Sequence, residues 1–581
     1  MRKTLTLSFF FILLALSGCS RQEGPVIADV LCDGEWEGTG EGRGGIILAR
    51  TTIAGHAVSD VRIMSQSESP FAQEALNAVV SRAIGRTGLM SLEYDGVSGA
   101  TLTSRGVIDA VNSSMDASMG KTAGKKSYSD CSCDVVVVGA GGAGLCSAIA
   151  ATDAGCRVIV LEKQGIVGGN TNYSTGGINA SGTSFQEVLG IRDSNGLFYD
   201  DTWEGGHRLG FPELVHEFVE RSAPTVTWLS GLGVDLSDVG LMGGSSVKRT
   251  HRPAGGAAIG PHLMMTLAEA CNERKVDVRT GNRVTGLLTE HGVVTGVSVC
   301  GHDGKAYNVT AKAVIVATGG FGANLDMVSA MKPELRGFST LNHKGATGDA
   351  FSWVSGFDAA LVHMDQIQIH PTAEAVNHVM ITEAVRGNGA ILVNADGKRF
   401  VNEMSTRDVV SAAILEQDGG CAYLVFDEQV RASLASIETY HNQGILLEAR
   451  TLKELASMAN MDPSSFENCV RQYNSYQSAG KDPEFFRSAT QMPSSISRSP
   501  YYAVKVMPAI HHTMGGLRVD TSCRVVKNDG SVIPGLYAAG EVTGGLHGGN
   551  RLGGNGVADV VVNGKVAGEE AARYCFAGEK P

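Results

Sequence analysis

The chain has 581 residues, 43% hydrophobic and 19% charged. That composition is globular, and the length is too great for one core, so several domains are expected. A net charge of −12 with no basic stripe argues against nucleic acid and requires any anionic ligand to be drawn in by a local cationic pocket. Glycine is the outlier: 75 residues, roughly 13% against a usual ~7%, so many backbone positions turn sharply or approach something closely.

In chain order, Arg2 and Lys3 precede an apolar run too short to span a bilayer comfortably. The run ends in Leu16-Ser17-Gly18-Cys19, which resembles the lipobox of bacterial lipoproteins. The resemblance implies a signal peptide over 1–18, lipidation of Cys19, a tether over 19–30 and a place in the periplasm or at the cell surface. The membrane would then be reached only through the lipid. Without Cys19, eleven of the 12 cysteines remain, an odd number that cannot all pair. Cys146, Cys156 and Cys300 lie in apolar stretches and read as small buried hydrophobes. Cys131-Ser-Cys133 is too closely spaced for a usual zinc knuckle, and no C-x-x-C-H motif for a haem occurs. No metal site is expected.

Residues 31–115 read as a small α+β domain, with strand-like alternation in IILARTTIAG and AVSDVRIM followed by an amphipathic EALNAVVSRAIG. Within it, DGVSGATLTS at 95–104 has the small-residue composition of a turn. The glycine run GTGEGRGG at 38–45 follows no valine-rich strand and opens no helix, so it is not read as a nucleotide loop. Residues 116–132, small, polar and lysine-containing, read as a linker.

CDVVVVGAGGAGLCSAIAATDAGCRVIVLEK, from Cys133, predicts a strand, a tight turn carrying Gly139, Gly141 and Gly144, a helix, and a second strand ending at Glu162. Pyrophosphate would sit at the helix N-terminus, with Glu162 placed to accept from a ribose hydroxyl. Further strand–glycine segments recur at AVIVATGGFGAN (313–324) and IPGLYAAGEVTGG (533–545). This recurrence is similar to the FAD-binding fold with long insertions. No second unit for a nicotinamide is found.

From about residue 133 to 575 the chain resembles the soluble flavoprotein fumarate reductases, relatives of the urocanate reductases. The segments that carry the resemblance are QIQIHPTAEAVNHVMITEAVRGNGAILVNADGKRFVNEMSTRD, AIHHTMGG and GEVTGGLHGGNRLGGNG. It implies an α/β chain: a Rossmann-like FAD-binding domain over 133–364 and 511–581, C-terminal tail included, with an inserted α+β capping domain over 365–510. FAD, held non-covalently, would contact Gly139, Gly141, Ala143, Gly144, Glu162, Asn170, Thr171, Gly176, Gly177, Asp349 and Glu541. Asp95 to Thr101 resembles the flavinylation signature of FMN-binding domains, in which an FMN transferase joins the phosphate to a threonine hydroxyl, here Thr101. Covalent FMN would then stand where relatives carry haems.

Reducing a carbon–carbon double bond with a flavin requires a hydride and a proton. For a dicarboxylate it also requires a clamp on each carboxylate that stabilises the developing carbanion. The resemblance implies His370 and Thr382 as one clamp, and His511 and Arg551 as the other, with Gly176 and Gly554 at the substrate. Met242 and Met380 would press the substrate out of plane. It implies Arg407 as the proton donor, although residue type alone favours a histidine. Glu383 and Arg386 would form the relay that reprotonates it, sharing a helical face at i, i+3. The expected substrate is fumarate. Urocanate, methacrylate or an aryl acrylate is the alternative, and an electron-transfer flavolipoprotein without reductase activity a remote one. A quinol-oxidising cytochrome or another low-potential carrier is the expected electron donor.

Overall fold

The computed structural model describes residues 31–42, 46–65, 73–91, 101–118 and 127–577. Cys19, the signal segment and the tether lie outside the described residues, as do Asp95 to Ala100. Two compact units form, the smaller built from residues before 124 and the larger from those after it.

In the smaller unit, strands Gly34–Glu41, Ile46–Ala54 and Ala57–Ser65 form an antiparallel meander. The second and third are joined through Gly55 and His56, both at positive φ, the backbone that a tight two-residue hairpin turn requires. Ile47, Ala49 and Ile53 alternate inward with Val58 and Val61, and Leu76 and Val79 of helix Gln73–Ala83 join them in one core with Val107 and Val111 of helix Thr101–Ser118. The glycine run at 38–45 finds its reason here. A Cβ on Gly38 would stand 2.2 Å from the Ala110 carbonyl oxygen, and one on Gly40 would stand 2.1 Å from that of Gly106. Glycine lets the long helix lie directly on the strand.

The larger unit is organised by a six-stranded sheet in the order Asp277–Arg279, Val158–Leu161, Val135–Val138, Ala313–Val316, Val532–Ala538, Arg524–Val526, parallel except at the last pair. Val135 to Val138 are buried at every position, because a parallel sheet is covered on both faces and an unbroken apolar run suits it. Helix Gly142–Asp153 packs on helix Asn555–Phe576 at small residues: Ser147 Oγ donates to the Gly564 carbonyl at 2.8 Å, and a Cβ on Gly568 would strike the Ser147 carbonyl. The alanine- and glycine-rich sequence of both helices is thus a close-approach surface. Cys146 and Cys156 are buried as expected, whereas Cys300, at the end of strand Val293–Cys300, is only half-buried.

A second, mixed layer carries strands Ile367–Glu374, Tyr501–Thr513, Ala422–Asp427 and Ile391–Val393 as an antiparallel sheet. Its long strand, Tyr501–Thr513, passes without a break through residues 510 and 511, so the capping segment and the FAD-binding segment share one piece of backbone. Among the described residues no helix is long and apolar enough to cross a membrane.

Candidate active site

An open cleft runs along the C-terminal ends of the parallel strands, where ligands bind in such sheets. Of the residues expected at FAD, Gly139, Gly141, Ala143, Glu162, Asn170, Thr171, Asp349 and Glu541 line it. Gly139 turns at φ 106°, and a Cβ there would reach the Ala317 carbonyl. Glu162 accepts from Ala140 N and Gln164 N, both at 2.8 Å, which aims its carboxylate along the rim. Asp349 is fixed by Lys163 Nζ at 3.1 Å and by the Thr347 hydroxyl at 2.6 Å. Asn170 joins the Asn342 amide oxygen at 2.6 Å and Glu541 at 3.3 Å, and burial pushes the Glu541 carboxyl upward. Gly144 and Gly177 stand behind the cleft wall instead. A Cβ on Gly144 would lie 1.8 Å from the Gly139 carbonyl, and one on Gly177 would lie 2.4 Å from that of His251. A glycine cradle opening onto a helix N-terminus, with an acid at the second strand's end, fits a dinucleotide flavin. In the smaller unit Thr101 is the first residue of an 18-residue helix.

Beyond the cleft lie three buried guanidiniums, Arg386, Arg407 and Arg551; the first two pair with the Glu383 carboxylate, and Arg551 feels Glu541 and Glu383 at longer range. Arg407 Nε donates to Glu383 Oε2 at 2.9 Å. Arg386 Nη2 lies 3.7 Å from the same oxygen, and Gly243 N, from the FAD-binding segment, donates to Oε1. Burial alone would raise Glu383, but Arg407 and Arg386 outweigh it and hold the carboxylate below its ordinary range. Arg386 is brought down to about 10, by burial foremost. Its helix, Ala384–Gly387, is a single turn with Glu383 at its N-cap. The i, i+3 pair that would be ordinary on a surface is here wholly interior. Arg386 Nη1 also donates to the Glu403 carbonyl at 2.6 Å, and the Glu403 carboxylate is gripped by Arg399 and Arg487.

His370 and His511 meet edge to face with ring centroids 5.2 Å apart. Thr372 N donates to His370 Nδ1 at 3.3 Å, so His370 carries its proton on Nε2 and offers it as a donor. Burial, followed by the charges of Arg407 and Arg551 and, at His370, of Arg386, holds both imidazoles neutral, well below their ordinary range. Arg551 is lowered to about 9, by burial and then by the Arg407 charge, and its Nε is buried without a partner. Thr382 is buried, and its backbone N donates to the Tyr440 hydroxyl at 3.0 Å. Met242 lies against Gly176 and Gly553, and a Cβ on Gly176 would stand 3.5 Å from the Met242 methyl. Met380 bridges Ala373 at the strand edge. Gly554 caps the last helix at φ 86°, where any side chain would collide with Asn179.

Gln368 belongs to this site and was absent from the expectations. Its Oε1 accepts from Arg407 Nη1 at 3.1 Å, and its Nε2 donates to the Arg551 carbonyl and to Asn550 Oδ1, each at 2.7 Å. The signal was present in QIQIHPTAE, since Gln368 shares a strand face with His370 two residues on.

Residues 134–557 match the family of FAD binding domains and residues 42–116 that of FMN-binding domains. The protein named fumarate reductase (cytochrome) of Shewanella frigidimarina is 47% identical over 442 residues, covering 76% of this chain and 77% of its own. The chain belongs to the flavoprotein fumarate reductase family. Within that family the solved open conformation of a flavocytochrome c3 fumarate reductase superposes with a TM-score of 0.65 at 40% identity, over 77% of this chain and 79% of its own. A urocanate reductase of Eggerthella lenta is 33% identical over 589 residues, 96% of both chains. This member of the fumarate reductase family is therefore an oxidoreductase with an FAD-binding and an FMN-binding domain, and FAD and FMN are its cofactors.

Proposed function

We propose that the chain reduces fumarate to succinate. The observation that carries this reading is the charge of the pocket: Arg386 and Arg407 pair with Glu383, and Arg551 lies within the fields of Arg407, Glu541 and Glu383, so three buried guanidiniums outnumber these two carboxylates and suit a dianion. Bound FAD would supply the hydride equivalent to one alkene carbon. Arg551 and His511 hold one carboxylate, the guanidinium by two parallel donors. His370, neutral and protonated at Nε2, holds the other with Thr382. Withdrawing charge onto both carboxylates makes the alkene electrophilic and stabilises the developing carbanion. Arg407 gives the proton to the second carbon. Glu383 then takes a proton from Arg386 and passes it to Arg407, and Arg386 regains its own from solvent between turnovers. Burial of all three keeps water from competing for that proton.

Thr101 would hold FMN by a phosphoester made by an FMN transferase, and the bound flavin would supply one-electron chemistry between an outside donor and the FAD site. Cys19 is lipidated and tethers the enzyme at the periplasmic or outer face of a membrane. There a quinol-oxidising cytochrome or other low-potential carrier reduces it, and fumarate serves as terminal electron acceptor.

A second reading keeps the chemistry and takes urocanate, methacrylate or an aryl acrylate. In its favour, the urocanate reductase shares nearly the full length of the chain. Against it, His370 and Thr382 stand in the dicarboxylate form of the clamp. Anaerobic oxidation of reduced viologen by protein carrying both flavins, with each acid in turn, decides between them. Absence of fumarate-dependent oxidation would remove the first reading.

A further inference from the structure

Tyr440 lies on helix Ser436–Asn442 of the capping segment and is 3% exposed. Its oxygen accepts from the backbone N of Thr382 at 3.0 Å. That bond uses one lone pair and leaves the phenolic proton to be given elsewhere. On the other side stands Thr175, from the FAD-binding segment and next to Gly176. The two side chains are near enough to interact, yet the Thr175 hydroxyl is buried with no partner at hydrogen-bonding geometry. Buried hydroxyls are normally satisfied, and an orphan one beside a substrate pocket points to a group that arrives with the ligand. Burial pushes the Tyr440 phenol up to about 12, so it remains a donor throughout the working pH range.

We propose that the Tyr440 and Thr175 hydroxyls complete the clamp on the carboxylate held by His370 and Thr382, so that Tyr440 sets affinity and specificity at that end of the substrate. The inference rests on the dicarboxylate reading above and adds to it a chemical difference between the two ends. One carboxylate meets the cation of Arg551. The other meets neutral donors only: an imidazole N–H and three hydroxyls. Because Tyr440 comes from the cap and Thr175 from the FAD-binding segment, this second clamp is whole only when both segments meet. Neutral donors suit this end, since a further cation would add repulsion to a pocket already rich in guanidinium groups.

The test compares native protein with Tyr440→Phe and Thr175→Val, each loaded with both flavins. Succinate binding is measured by calorimetry, and KM and kcat with fumarate and with the acid the native protein reduces fastest. Loss of a donor to a carboxylate is expected to weaken succinate binding and raise KM about tenfold in either variant, with kcat falling less than KM rises. Succinate binding within about twofold of native in both variants, or a loss confined to kcat, overturns the inference. Should Tyr440→Phe fail to load FAD, Thr175→Val, which leaves the aromatic packing untouched, decides. Native protein that neither binds succinate nor reduces fumarate removes the dicarboxylate reading itself, a result distinct from native-like variants of a fumarate-reducing enzyme.

Discussion

Gln368 accepts from Arg407 through one end of its amide at 3.1 Å and donates to the Arg551 carbonyl through the other at 2.7 Å. One buried amide thus links Arg407, proposed above as the proton donor, to Arg551, proposed as the anchor of a substrate carboxylate. Replacing it with leucine keeps the volume and leaves an Arg407 N–H unpaired in the interior. Gln368→Leu is expected to lower kcat by about tenfold or more with a smaller change in KM, and steady-state kinetics with reduced viologen measure it.

Arg407→Ala removes the proposed proton donor and touches no residue that lines the FAD cleft. Turnover should fall by about 10²–10⁴-fold, the usual range for a general acid, with both flavins still bound by absorbance. Retained activity would transfer the role to another residue.

The pocket's titration has a definite sign. A cation lowered to about 9, as Arg551 is by burial and the Arg407 charge, keeps its charge below that pH and loses it as pH rises through it. His370 and His511, lowered well below their ordinary value, stay neutral across the same range. The KM for fumarate should therefore be flat between about pH 6 and 8 and climb above about 9, by up to ~tenfold per pH unit. A KM that changes through about pH 6.5 would mean that a histidine is the titrating clamp.

Thr101→Ala should abolish covalent FMN and leave FAD in place. Intact mass of the denatured chain would drop by one FMN moiety, and fluorescence of the denatured band would disappear. Viologen-driven reduction at FAD is then expected to be less impaired than turnover with a physiological carrier.

Gly38→Val tests the contact that the smaller unit is built around. A side chain there meets the backbone of helix Thr101–Ser118 at Ala110 and Ser114, and neither main-chain atom can move aside. A loss of roughly 1–3 kcal/mol or more is expected for such overpacking, seen as a lowered melting transition and poorer FMN loading.

What the sequence determined by itself was the part of the protein whose physics is local. A valine strand, a turn that needs Gly139 to take a positive φ, a helix of small residues and an acid at Glu162 specify one another over thirty residues, so fold class and FAD cleft were legible. The second and third strands and the first helix of the smaller unit followed from alternation in the same way, whereas its first strand, Gly34–Glu41, did not. Tertiary structure alone decided the rest. Glu383 and Arg386 have the spacing of a surface pair, and only burial by distant segments turns them into an interior pair whose charges shift one another. Gly38 and Gly40 belong to a glycine run that lacks the context of a nucleotide loop, and its purpose emerges only when a helix seventy residues away proves to need their missing side chains. Gln368 and Tyr440 acquire meaning from Arg551 and Thr175, partners far along the chain. Hydrogen bonds and low-dielectric coupling depend on distance in space, which a periodic pattern along the backbone does not encode.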